Sequence, residues 1–207
     1  MKPTAQEIDN RKQEVSERVP KVMHEIELRF EPYRRQFDQQ LARALAANGS
    51  RRSKIFAIQK LSSEVRQISA PFAACKKGCS NCCYQRVMLS QTEADTIAHN
   101  INKKAVQLSP AYKLPDMEAF DSTTPCNFLV DGACSIYDHR PFMCRNQVNL
   151  DKDNLLCSFE NWELGRSKSP LFTGTPMQDP GPLLVAYRQV SSRDVVGDIR
   201  DFFPTNG

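Results

Sequence analysis

Cysteines are the residues of this chain whose type and spacing could do chemistry. Four of the eight fall within nine positions, namely Cys75, Cys79, Cys82 and Cys83. Thiolates are the ligands that zinc and iron accept from soft sites, and a tight loop gathers several of them with little loss of closure entropy. Gly78 provides a position where the backbone can fold sharply. The segment therefore predicts a thiolate metal site.

A second group of cysteines is spread more widely along the chain. Its members are Cys126, Cys134, Cys144 and Cys157. The spacers of seven, nine and twelve residues are too long for local turns, so the fold has to bring these thiols together. Eight ligands are enough for two four-thiolate sites or for one shared cluster. The simplest assignment gives the first four cysteines to one ion and the last four to another.

The adjacent pair Cys82 and Cys83 limits that assignment. Neighbouring side chains diverge, by about 100° in a helix and to opposite faces in a strand, so both could serve one ion only in a contorted loop. One of them is expected to bind the first metal, while the other joins a second metal, bridges or packs. His139, between the second and third cysteines of the later group, is an alternative ligand.

Basic residues surround the first group. Lys76, Lys77 and Arg86 are close to it in sequence, and we expect them to lower the pKa of the thiols. They would also offset the negative charge of a site with several thiolates.

Composition places the chain among globular proteins of a reducing compartment. Apolar residues make up 40% and charged residues 25%, and no apolar run is long enough to cross a bilayer. The charged first twenty residues contain no secretory signal, which predicts a cytoplasmic protein with no membrane contact. Thiols stay reduced there, so metal ligation is favoured over the alternative of structural disulfides.

The charge pattern argues against a nucleic-acid partner. Residues 1–70 contain 14 Lys and Arg against 9 Asp and Glu, and the remainder contains 14 against 15. Because acidic residues are interleaved with the basic ones, the N-terminal surplus is typical of a solvated helix surface rather than of a nucleic-acid-binding patch.

Two apolar stripes with helical spacing predict an N-terminal helical hairpin. The first stripe consists of Val15, Val19, Val22, Ile26, Phe30, Tyr33, Phe37, Leu41 and Leu45, and the second of Ile55, Ile58, Leu61, Val65 and Ile68. Asn48-Gly49-Ser50 separates them, and Pro20 and Pro32 predict a break or kink in the first helix. The hairpin could be an arm that binds a protein partner, but packing on the rest of the domain is the preferred interpretation.

The rest of the chain is predicted to be less regular. Ser90 and Glu93 form a capping-box pattern that predicts a helix to about Lys104. The predicted fold is mostly α, with an N-terminal helical hairpin and an irregular, loop-rich, eight-cysteine core. The chain is predicted to divide into three units. Residues 1–70 form the helical arm, residues 71–165 form the metal-binding domain, and residues 166–207 form a segment that packs on that domain.

The motifs around the cysteines resemble a known family. Cys-x3-Cys-x2-Cys-Cys is followed by Pro125-Cys126-x-Phe128-Leu129 and by the string from Gly132 to Arg145, which reads Gly-x-Cys-x-Ile-Tyr-x-x-Arg-Pro-x-x-Cys-Arg. This pattern resembles the zinc- or iron-chelating cysteine-cluster family (YkgJ-like, CxxCxxCC) over about residues 75–157. The resemblance implies that all eight cysteines are metal ligands, and it implies no established reaction.

Arg140, Pro141 and Arg145 are the marks of that family other than cysteine. The two arginines could bind an anionic cofactor or substrate, since guanidinium groups suit carboxylate and phosphate. Neutralisation of the thiolates is the preferred interpretation.

Several functions remain open from the sequence. A zinc site with a structural or carrier role comes first, and an iron–sulfur redox protein comes second. By analogy with flagellin lysine-methylating proteins, which are thought to carry a related cluster, an accessory role in protein modification is a further alternative. The Cys75-x3-Cys79-x2-Cys82 spacing also occurs in radical S-adenosylmethionine enzymes, but the repeated βα pattern of their barrel is missing. No hydrolase motif is present, and no catalytic residue can be assigned.

Overall fold

The computed structural model describes residues 3–116, 121, 123–158, 161 and 175–205. In this part of the chain the helices are α1 (Ala5–Ala46), α2 (Arg51–Ser69), α3 (Gln91–Asn100), α4 (Phe142–Arg145), α5 (Pro182–Val190) and α6 (Ile199–Phe202). The strands are β1 (Met88–Ser90), β2 (Leu129–Val130), β3 (Ala133–Cys134) and β4 (Val196–Asp198). The predicted fold class, mostly α with the cysteines in a loop-rich region, is confirmed.

Helix α1 is continuous through both prolines, so the predicted break is wrong. It runs for 42 residues, with a capping box between Thr4 and Glu7 at its start. Pro20 and Pro32 are both exposed and lie outside the buried stripe of the helix. The carbonyl groups that lose their intrahelical partner at each proline can therefore bond water, while packing on the other face keeps the helix intact.

Helices α1 and α2 form the predicted antiparallel hairpin, and α2 packs on the rest of the protein. The apolar cluster that joins them to α4 and α5 contains Phe37, Leu41, Ile55, Ile58, Leu61, Phe142, Leu183, Ala186, Tyr187 and Val190. Helix α2 also lies against α3. These contacts favour the packed hairpin over a free arm. Tyr33 is an exception to the predicted stripe, because it is 56% exposed.

Helix α3 starts as predicted but ends earlier, at Asn100 rather than near Lys104. Its cap, the Ser90 hydroxyl, accepts a hydrogen bond from the Glu93 amide at 3.2 Å. Glu93 does not reach back to complete the capping box. Its fully buried carboxylate instead accepts hydrogen bonds from Gln59 of α2, the Phe142 amide of α4 and the Tyr187 hydroxyl of α5, at 2.6, 2.6 and 2.7 Å.

The cysteine-containing segments rest on a second apolar cluster. Strands β1 and β4 pair antiparallel above it, with Leu89 opposite Gly197. The buried members are Val87, Leu89, Ala94, Ile97, Ala98, Cys126, Phe128, Ile136, Ile199, Phe202 and Phe203. The predicted C-terminal unit 166–207 lies partly outside the described residues, and its described portion adds α6 and Phe203 to this cluster and α5 to the cluster on α2.

Candidate metal centre

Seven of the eight cysteines line a single cavity of about 50 Å³. They are Cys75, Cys79, Cys82, Cys83, Cys126, Cys134 and Cys144. All eight cysteines are free thiols. Within the described ranges, no three side chains of the His, Cys, Asp or Glu type form a group that could hold a metal ion as they stand. Since a zinc–sulfur bond measures about 2.3 Å, binding would require the sulfurs to move inward.

The first cysteine loop is shaped by a β-turn and a short 3-10 helix. The Cys79 amide donates to the Lys76 carbonyl at 3.0 Å, and Gly78 within this turn has a φ of 91°. Such an angle favours glycine, which confirms the sharp fold predicted there. Residues Asn81–Tyr84 then form the 3-10 helix that contains both adjacent cysteines.

The later cysteines are positioned by a hairpin and by α4. Strands β2 and β3 are joined by Asp131-Gly132, with φ angles of 50° and 74°, as expected for a two-residue type I′ turn. The hairpin sets Cys134 opposite Leu129, and Cys144 lies in α4. The Asp-Gly dipeptide is the signal from which the sequence analysis could have predicted this hairpin and did not.

Cys157 is not among the residues that line the cavity, but it lies beside Cys75. Both sulfurs accept hydrogen bonds from Asn149. The backbone amide of Asn149 donates to Cys75 Sγ at 3.3 Å, and its side-chain Nδ2 donates to Cys157 Sγ at 3.5 Å. The Asn81 side chain also donates to Cys157, at 3.8 Å. Asn149 is almost fully buried, and neither asparagine was singled out from the sequence.

Burial raises the pKa of most of the thiols. It is the main cause at Cys75, Cys126, Cys134, Cys144 and Cys157, and it raises the pKa of Cys157 to about 11. At Cys82 the hydrogen bond with Cys83 raises the pKa most, followed by burial. Burial therefore favours the neutral form of these six thiols, and a bound metal ion would have to displace their protons.

The expectation that Lys76, Lys77 and Arg86 lower the pKa of the first thiol group is wrong at Cys75 and Cys82, where the pKa is raised. Arg86 turns away and donates to the carbonyls of Pro115 and Asp116, and Lys77 lies over the Tyr137 ring. Different guanidinium groups oppose the effect of burial. They are Arg66 at Cys75, Arg140 at Cys82, Cys134 and Cys144, and Arg200 at Cys126.

The two family arginines have different surroundings. Arg140 lines the cavity and stacks on Tyr137, with the guanidinium carbon 3.6 Å from the ring centroid. Arg145 is not among the lining residues of that cavity, and its guanidinium donates to the Arg140 and Asp138 carbonyls and to the Ser63 hydroxyl. Of these two arginines, only Arg140 lines the cavity.

Arg200, which the sequence analysis did not consider, joins the two cysteine-containing loops. It donates to the carbonyls of Cys83 and Gln85 in the first loop at 3.0 and 3.4 Å. It also donates to the carbonyls of Thr124 and Pro125, which precede Cys126 in the second loop, at 3.0 and 3.3 Å. Asp198, which caps α6, pairs with it at 2.9 Å. No local motif indicates that an arginine of the last helix reaches back over 75 residues.

His139 is exposed and does not line the cavity. Its proposed substitution for a cysteine ligand therefore finds no support in the described geometry.

Fold and site together define a helical protein with a cysteine-lined metal-binding centre. Residues 74–162 match the family model CxxCxxCC, described as "Putative zinc- or iron-chelating domain". The resemblance noted from the sequence is thereby confirmed, and metal binding with it. No curated protein and no solved structure matches the chain. Within the described part, none of the helices is long and apolar enough to span a membrane.

Proposed function

We propose that this protein chelates zinc through the thiolates of its eight cysteines. The observation that carries the proposal is the enclosure of one small cavity by seven thiols, with the eighth tied to Cys75 through Asn149. An all-sulfur donor set suits zinc, copper(I) and iron rather than magnesium or calcium. The family description narrows this set to zinc or iron.

The number and kind of the ligands fit single ions. Structural zinc sites are closed by four ligands, in many cases all cysteine, and eight free thiols are enough for two such sites.

The proposed role of the metal is to stabilise a segment with little regular structure. Between α3 and α5 the described residues form two two-residue strands, α4 and short turns, so few backbone hydrogen bonds hold this part together. Closed zinc sites supply folding free energy in such segments. Arg140 would offset the thiolate charge from its place in the cavity wall, and Arg145 would support α4.

Elemental analysis of protein purified from its native host without oxygen tests the proposal. We expect a colourless protein with about two zinc ions per chain and no acid-labile sulfide. The Cys134→Ala variant should lose metal, whereas Ser80→Ala, a change beside Cys79 that removes no thiol, should not.

The other outcomes are distinct. A brown protein with stoichiometric iron and sulfide would show that the centre holds an iron–sulfur cluster instead of zinc. Metal chelation by the cysteines would then still hold. Fully reduced, folded protein that takes up neither zinc nor iron would overturn the proposal as a whole.

A further inference from the structure

The eight thiols fall into two groups that do not follow their order along the chain. The inference below rests on the proposed function, because it concerns which cysteines share an ion. Two independent contacts define the groups. They are the hydrogen bonds around Asn149 and the membership of the apolar cluster beneath the cavity.

Asn149 assigns Cys157 to the first cysteine loop. Its amide and side chain reach the sulfurs of Cys75 and Cys157 at 3.3 and 3.5 Å, so the two sulfurs are neighbours. Asn81, which lies between Cys79 and Cys82, donates to Cys157 from the same loop. Cys75 and Cys79 also raise the pKa of Cys157, in accord with this proximity. The last cysteine of the sequence therefore belongs with the first.

The apolar cluster assigns Cys83 to the later cysteines. Cys126 is one of its buried members, and Cys83, Cys134 and Cys144 pack against it, whereas the other four cysteines do not belong to it. The Cys126 amide also donates to the Cys83 carbonyl at 2.7 Å. Cys83 is therefore held within the second group by both backbone and packing.

The 3-10 helix at Asn81–Tyr84 explains how adjacent cysteines can serve different groups. With three residues per turn, successive side chains point about 120° apart. Cys83 packs against the apolar cluster and Cys82 does not, although the two side chains share a hydrogen bond. Cys82 raises the pKa of Cys75 in one group and of Cys134 and Cys144 in the other, in accord with a position at the boundary between the groups.

Arginines lie beside both groups. Arg66 and Arg140 both line the cavity. Arg66 donates to the Cys75 carbonyl at 3.4 Å, and Arg140 acts on Cys134 and Cys144 as well as on Cys82 at the boundary. Four thiolates around a divalent ion leave a net charge of −2, so a guanidinium beside each group reduces the cost of burying both charges.

We propose that the centre consists of two four-thiolate zinc sites with an exchanged membership. The first site comprises Cys75, Cys79, Cys82 and Cys157, and the second comprises Cys83, Cys126, Cys134 and Cys144. Compared with an assignment by chain order, Cys83 and Cys157 change places. The sites adjoin at the Cys82–Cys83 peptide bond.

Zinc stoichiometry in single and double variants tests this membership. Wild type should bind two ions, and Cys157→Ala and Cys126→Ala one each. Two double variants distinguish the exchanged membership from the assignment by chain order. Cys82→Ala combined with Cys157→Ala should keep one ion, because both changes fall on the first site, and so should Cys83→Ala combined with Cys126→Ala. Assignment by chain order predicts no ion in either double variant.

Cobalt substitution and circular dichroism make the outcomes distinguishable. Each one-ion variant should show half the thiolate-to-cobalt charge-transfer absorbance of wild type, with the helical signal retained. Ser158→Ala, beside Cys157, should keep both ions. Loss of both ions from either single variant would indicate one shared cluster and overturn the two sites. Zero ions in both folded double variants would overturn the exchange, and a wild type that binds neither zinc nor cobalt would overturn the proposed function instead.

Discussion

At the scale of single residues, Arg200 shows how a side chain outside the cysteine motifs can control the centre. Its guanidinium group bonds carbonyls of both cysteine-containing loops, including that of Cys83. It also opposes the rise in the pKa of Cys126 that burial causes. Groups that orient metal ligands in this way are worth about 10- to 100-fold in metal affinity.

We predict that Arg200→Met lowers zinc affinity by about 10-fold or more, because the two loops lose their shared donor. Competition with a chromogenic chelator measures the change, and circular dichroism checks that the fold is kept. Arg188→Met provides a control, since Arg188 is an exposed arginine of α5. Equal affinities of the two variants would contradict the positioning role of Arg200.

At the scale of elements, the N-terminal half of α1 holds the loop that contains Cys157. Ile8 and Val15 pack on the fully buried Leu156. Arg11 bonds the carboxylates of Asp151 and Asp153, of which Asp151 is almost completely buried. The C-terminal half of the same helix packs on α2 and α5 instead. Helix α1, about 63 Å long at 1.5 Å per residue, thus connects the metal centre to the helical core.

We predict that Arg11→Met makes Cys157 several-fold more reactive towards an alkylating reagent in metal-free protein. Removal of the guanidinium leaves the buried Asp151 carboxylate without its ion-pair partner Arg11, with the Lys152 amide as its remaining donor, which loosens the loop. Mass spectrometry after timed labelling measures the rate, with Cys134 as an internal reference. Arg34→Met is the matched control, because Arg34 pairs with Glu27 and Glu31 of its own helix. An unchanged rate at Cys157 in Arg11→Met would show that α1 does not restrain this loop.

At the scale of the whole molecule, the helical core and the metal centre rest on different apolar clusters. The cluster between α1, α2 and α5 contains no cysteine, whereas four cysteines contribute to the cluster beneath the cavity. The buried Glu93 carboxylate joins the two regions through its contacts with α2, α4 and α5.

We predict that metal removal loosens the cysteine segments while α1 and α2 stay folded. Hydrogen exchange should increase at residues 75–83 and 126–157 after chelation, because these segments lose the free energy of metal binding. Exchange in Arg51–Ser69 should change little, and most of the helical circular dichroism should remain. Cooperative loss of the helical signal on chelation would contradict this division.

The sequence predicted the helices well because their apolar periodicity is local. The α1–α2 hairpin and the start of α3 at Ser90 follow from spacing and capping alone. The predicted break at the prolines was wrong because a proline at an exposed position of a packed helix costs less free energy than one on its buried side. The predicted capping box at Glu93 was wrong because three donors distant in sequence bind its carboxylate instead, and the sequence does not show that they lie beside it.

Cysteine identity could be predicted from the sequence, but cysteine grouping could not. The first loop is closed by its own turn at Gly78, so its thiols are close for local reasons. The environment of Cys157 depends on Asn149 and α1, and that of Cys83 on packing with Cys126. Apart from the Asn149–Cys157 hydrogen bond, which spans eight positions, these contacts join residues more than 40 positions apart, and spacing carries no information about them.

The two hydrogen bonds of Asn149 also bear on how tightly the centre can bind. They bring together Cys75 and Cys157, which enclose a loop of about 80 residues. In a flexible chain the entropy of closing such a loop costs on the order of 4 kcal/mol. The hydrogen bonds of Asn149 offset part of this cost, which as a whole is equivalent to about a thousandfold in the dissociation constant of an ion that joins the two sulfurs. The fold around Asn149, and not only the first cysteine loop, would thus contribute to the metal affinity of this protein.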